Sequence, residues 1–192
     1  MGDEAIVLKY AVTAIDRERL ELHYRIDNGS ERVLYLFTPL LEPGEEKGAP
    51  APQKVYAFLD PEGVLQITKR LWLLPEDVDV YSPDVPLLTE VGPGRHFEES
   101  LSLALPIRID YPYLGAGEEE PEGEPELMTA EARGIALSIG YLFGDEVPGR
   151  MESIGAPGGV GFVVGYGIAA ERQRILQGQA LSVRAPVQDF KR

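Results

Sequence analysis

The alternation of residues 20–27 limits what this chain can fold into more than any other feature. Leu20, Leu22, Tyr24 and Ile26 project to one side, and Glu21, His23, Arg25 and Asp27 to the other. This is the period-two pattern of a strand with one buried and one wet face. Asn28-Gly29 follows at once, and then the apolar run 33–37. Asn and Gly accept the positive φ angles of a type I′ turn, so the two runs are expected to pair as a hairpin. A second hairpin is expected from residues 55–59 and 64–68. They are joined by Asp60-Pro61-Glu62-Gly63, where proline presets φ and glycine closes the turn.

The same period returns where Phe97, Leu101, Leu103 and Leu105 oppose Glu98, Ser100 and Ser102. It returns again where Ile135, Leu137, Ile139 and Tyr141 alternate with Ala136, Ser138 and Gly140. Both read as half-buried antiparallel strands. Further strands at 6–15, 71–74, 160–164 and 180–185 bring the total to about nine or ten. No segment carries a helical period of useful length. Residues 39–52 and 111–126, rich in Pro, Gly and Glu, and the glycine-rich 144–159 read as loop insertions, because none has a period that buries a face. The expected fold is therefore all-β, an antiparallel two-sheet sandwich with long loop insertions. A barrel is disfavoured because the loops are long and unequal. One domain is expected over residues 1–192, a length at which a single unit buries roughly 70% of the surface its unfolded chain exposes.

The order of alternating strand, Asn28-Gly29-Ser30, apolar strand, the run 55–63 (VYAFLDPEG) and the run 91–103 (VGPGRHFEESLSL) resembles the immunoglobulin-like sandwich of many bacterial domains. At a distance it is similar to the intracellular proteinase-inhibitor type of that fold, in which a strand ending in Asn, an Asp-x-x-Gly turn and a Pro-Gly before a later strand recur. The likeness covers residues 20–105 and implies a fold, with almost no implication for function. The chain departs from immunoglobulin hallmarks in having no cysteine, and its one tryptophan, Trp72, lies in an unbroken apolar run.

A formal charge of −14 repels phosphate backbones and anionic membranes, so nucleic acid is not an expected partner. Only residues 171–192 depart from this, with five Lys/Arg against two acids, and an ordinary strand and tail account for them better than a basic docking strip. No run of about 18 apolar residues is present to span a bilayer. Met1 to Lys9 has two acids and no leader-like apolar run. A cytoplasmic location fits the sequence as given, and a cell-envelope location fits it if a leader has been removed.

Catalytic chemistry finds little footing. His23 belongs to a polar strand face and His96 begins another strand, with no G-x-S-x-G or H-E-x-x-H spacing around either. The acidic run 118–126 lacks the alternating ligands and turn glycine of a calcium loop. Gly165-x-Gly167-x-x-Ala170 mimics a dinucleotide fingerprint with Asp189 further on, but antiparallel strands around it and a short candidate helix at 168–177 argue against a cofactor there. No metal, cofactor or catalytic residue is assigned. Tyr111 and Tyr113, held by Pro112 at the start of the acidic loop, are the candidate binding residues, since tyrosine is enriched at contact patches. The expected function is a non-enzymatic protein-binding module. The alternatives are an assembly subunit pairing through a sheet edge and a dinucleotide-binding enzyme using Gly165 to Ala170.

Overall fold

The computed structural model describes residues 5–42, 49–75, 83–113, 127–147, 151–156 and 159–190. Sixteen strands, one short α-helix and a single turn of 3-10 helix at Gly144–Glu146 are assigned among them. The all-β expectation is met, and no sheet closes into a barrel among the described residues. No described helix is long and apolar enough to cross a membrane.

The first sheet has the order β1-β2-β9, from β1 (Ile6–Ile15), β2 (Arg19–Asn28) and β9 (His96–Ala104), all antiparallel. In β2 the inward row Leu20, Leu22, Tyr24 and Ile26 is fully buried. The outward row is laced with polar contacts: Lys9 and Arg25 to Asp27, Arg25 to Glu98, and His23 to Ser100. The alternation in the sequence is thus a direct record of one dry and one wet face.

The largest sheet runs β13-β14-β8-β3-β12-β7-β6. Its members are β3 (Leu34–Phe37), β6 (Tyr56–Leu59), β7 (Val64–Lys69), β8 (Leu88–Val91), β12 (Gly134–Phe143), β13 (Glu152–Ala156) and β14 (Gly159–Val163), with β15 (Arg174–Gln177) pairing on β12. A third sheet, β10-β16-β11, joins β10 (Ile107–Arg108), β16 (Ala185–Phe190) and β11 (Leu127–Ala132). β4 (Leu40–Leu41) pairs with β5 (Pro50–Ala51). One apolar core collects Leu22 and Ile26 of the first sheet, Leu36, Ile67 and Leu137 of the largest, and Ile107 and Val187 of the third.

The expected hairpin of β6 and β7 is present, antiparallel, with Gly63 at φ +78°. In that region of backbone space a side chain is strained and glycine is not. Asp60 completes the turn by accepting hydrogen bonds from the Glu62 and Val64 amides.

The hairpin expected from residues 20–37 does not form. β2 pairs with β1 and β9, whereas β3 pairs with β8 and β12 in another sheet. The reason lies in Asn28. Its side chain is buried and donates to the carbonyls of Arg32, Val91 and Gly92 at 2.8–3.2 Å, which satisfies a crossover instead of a tight turn. Gly29 packs against the Ala5 carbonyl, where a Cβ would stand 2.7 Å from the oxygen.

β12 is also not the half-buried antiparallel strand expected from its period. It lies inside the sheet, antiparallel to β3 and β15 but parallel to β7, and all ten residues are buried. Residues 71–74 form no strand, and the strand expected at 180–185 begins at Ala185. β4, β5 and β13 lie within stretches expected to be loops.

Candidate functional site

The segment 70–75, directly after β7, holds the chain's single tryptophan in place without strand partners. Gln173, which caps the helix α1 (Tyr166–Arg172), substitutes for one: its Oε1 accepts the Leu71 amide at 2.8 Å and its Nε2 donates to the Leu71 carbonyl at 3.1 Å. The Leu74 amide donates to the Tyr166 hydroxyl at 2.8 Å. Buried backbone groups need partners, and here a side-chain amide mimics the pair of bonds that a neighbouring strand would make.

Gly140 of β12 makes this arrangement possible. A Cβ there would lie 2.6 Å from Gln173 Oε1, 2.9 Å from Arg70 Cβ and 3.0 Å from a ring carbon of Phe37. The small residues of β12 therefore face a second layer of packing.

Trp72 is half-buried in a cluster of aromatic rings. Tyr111 stacks on it with ring centroids 5.1 Å apart, and Tyr56 and Phe58 meet it edge-on at 6.0 and 5.6 Å. The Arg70 guanidinium lies 4.2 Å from the ring centroid, within cation–π range. Beside this cluster a groove of about 360 Å³ is lined by Arg70, Leu71, Trp72 and Leu73 on one wall and by Ala170, Gln173 and Ile175 on the other. Leu73 is 57% exposed and Ile175 38% exposed.

Among the described residues Arg70 is the only charged one lining the groove. Among the described residues no carboxylate pairs with it, and its Nε is enclosed without a hydrogen-bond partner. Burial alone lowers its pKa from the usual guanidinium value. Arg25, Arg32, Arg174 and Arg184 each meet an acid instead.

Tyr111 and Tyr113 are placed differently from free anchors on a loop. Asp110 exchanges backbone hydrogen bonds with Ala57, at 2.7 and 2.9 Å, which sets Tyr111 over Phe58 and Trp72. Tyr113 is half-buried at φ 65°, a conformation that costs a non-glycine residue about 1–3 kcal/mol and persists only where its surroundings impose it. Burial raises the Tyr113 pKa, and the Asp84 carboxylate adds to the shift. The acidic run 118–126 lies outside the described residues.

The glycine-rich segment does have a strand and a helix in order, joined by Val164 and Gly165. The helix has seven residues, however, and β14 is antiparallel to both its neighbours. Nothing lies within 4 Å of a Cβ built on Gly165 or Gly167, so close packing is not what calls for glycine there. Among the described residues no group of three His, Cys, Asp or Glu side chains converges.

A second polar cluster lies inside the molecule. Lys69 of β7 is fully buried and its Nζ lies 2.5 Å from Glu99 Oε2 of β9, while Tyr24 of β2 donates to the same oxygen at 2.5 Å. Lys69 also donates to the Pro52 carbonyl and, at 3.4 Å, to the Thr38 hydroxyl. Burial lowers the Lys69 pKa while the Glu99 charge opposes the shift. This closed network ties two sheets together. Compared with models of protein families, with curated proteins and with solved structures, the chain matches none of them.

Proposed function

We propose that the chain is a non-enzymatic protein-binding module, built as a two-sheet sandwich of the immunoglobulin-like kind, and that the Trp72 groove is its contact surface. One observation carries the reading: Arg70 and Trp72 line a groove, Trp72 is backed by the stacked ring of Tyr111, and two exposed aliphatic side chains, Leu73 and Ile175, stand on the rim. Trp, Tyr and Arg are the residue types that dominate binding energy at protein interfaces, where an anchor side chain fills a desolvated pocket. A space of about 360 Å³ accepts one or two side chains of a partner segment. The sandwich reading is supported by the core that the sheets share.

Selection from a library of displayed random heptapeptides tests the proposal. Enrichment of a consensus on the native protein, lost on the Leu73→Asp/Ile175→Glu variant, is the expected result. No enrichment, or equal enrichment on both proteins, overturns it.

A second reading, assembly through a sheet edge, has its own support. β13 ends the largest sheet, Ile154 on it is 36% exposed, and Val160 and Val163 of β14 are 59% and 37% exposed. Edge strands with apolar side chains invite pairing. A monomer by light scattering at 100 μM would remove that reading.

A further inference from the structure

We infer that the Trp72 groove recognises an acidic–apolar segment, with an aspartate or glutamate carboxylate of the partner meeting the Arg70 guanidinium and an adjacent apolar side chain resting on Leu73 and Ile175. The inference rests on the protein-binding reading of the same groove and names the chemistry of its occupant. The chain has 32 acids and 18 Lys/Arg, so a half-buried arginine that meets none of those acids among the described residues is conspicuous. A guanidinium offers five donors in a planar fork, and a carboxylate satisfies two of them at once.

The ring of Trp72 fixes the guanidinium at 4.2 Å and limits the side-chain freedom that binding would otherwise have to remove. The Gln173 amide in the opposite wall has both polar ends engaged with Leu71, which leaves Arg70 as the polar recognition group. Leu73 and Ile175 give the rim its apolar character. A cationic partner would set like charge against Arg70, and a wholly apolar one would cover the guanidinium without giving its donors an acceptor.

The net charge of −14 opposes an acidic partner at long range. At 0.15 M salt that field is screened within about 8 Å, whereas the contact with Arg70 is made at hydrogen-bond distance.

The test compares heptapeptides enriched from the random library on the native protein with those enriched on Arg70→Gln, followed by anisotropy titration of the native-selected peptide and its Glu→Gln or Asp→Asn counterpart. The expected result is an acid next to an apolar residue in the native consensus, absent from the Arg70→Gln consensus, and a tenfold or greater loss of affinity for the neutral counterpart. Arg70→Lys is expected to keep the acid preference with weaker binding, and an unchanged unfolding temperature of each variant shows that it folds. A neutral or basic consensus on the native protein overturns the inference while the protein-binding reading stands. An acid preference that survives in Arg70→Gln likewise overturns the role of Arg70. No enrichment on the native protein or on Arg70→Gln overturns both.

Discussion

Replacing Glu99 by Gln keeps the shape of the side chain and removes only the charge that faces Lys69. The Lys69 side chain has no exposed surface and that of Glu99 is 14% exposed, so water cannot replace the lost carboxylate. Breaking a buried pair by removing one partner costs about 3–5 kcal/mol, because the other charge is left uncompensated. Lys69 retains the Pro52 carbonyl and the Thr38 hydroxyl, and Tyr24 can still donate to the amide oxygen, which places the cost near the lower end, at about 3 kcal/mol. For a domain of this length each kcal/mol lowers the unfolding temperature by about 2–4 °C, so a fall of about 6–12 °C is expected by calorimetry. The Lys69→Met/Glu99→Leu variant removes both charges and is expected to recover more than half of that loss. A Glu99→Gln cost below about 1 kcal/mol, or a double variant less stable than the single one, would show that the network is not a desolvated ion pair.

Three further outcomes concern other parts of the fold. Gly140→Ala places a methyl group against Gln173, Arg70 and Phe37, and is expected to cost about 1–3 kcal/mol in denaturant unfolding while shifting Trp72 emission to longer wavelength. Gly63→Ala, at φ +78°, is expected to destabilise by about 1 kcal/mol without altering Trp72 emission. On the alkaline side, burial first and the Glu90 carboxylate second push the Tyr35 hydroxyl up to about 12. A raised folded-state pKa stabilises fully below the unfolded value of 10.0 and ceases to do so as pH rises through the folded value. The stability gap between the native protein and Tyr35→Phe is therefore expected to narrow between pH 10 and about 12 in thermal unfolding. Lys69, whose pKa is lowered, has the opposite sign, its destabilising effect easing as pH rises toward the unfolded value of 10.5.

The parts of the fold legible in the sequence are those where one strand face meets water. In β2 and β9 the polar residues mark the wet side, except Asn28 and Glu99, whose side chains turn inward to polar partners. β12 shows the same period, but Ala136, Ser138 and Gly140 are all buried, and at Gly140 it is Arg70, Gln173 and Phe37 that pack over the face, not water. Smallness and solvation leave the same trace in a sequence. Asn28-Gly29 carries the signature of a tight turn, whereas the buried Asn28 amide serves a crossover between sheets.

Glu99 and Lys69 were detectable, since each falls on the inward row of its strand, with Leu101 and Leu103 or with Leu65 and Ile67. A charged residue on a dry row calls for a partner on another dry row. The Trp72 groove had no such mark: Gln173 and Leu71 stand 102 positions apart and form no motif, and only folding brings them together. Tyr111, nominated on residue type and on its place at the start of the acidic loop, reaches this cluster as a ring stacked on Trp72.

Amide hydrogen exchange of the native protein, with and without a peptide enriched from the heptapeptide library, tests the central claim most directly. Protection is expected to rise in 70–75 and 173–175, the two walls of the groove, and to remain unchanged in β1, β2 and β9. Protection gained along β13 and β14 instead, with 70–75 unaffected, would contradict it and assign recognition to the sheet edge.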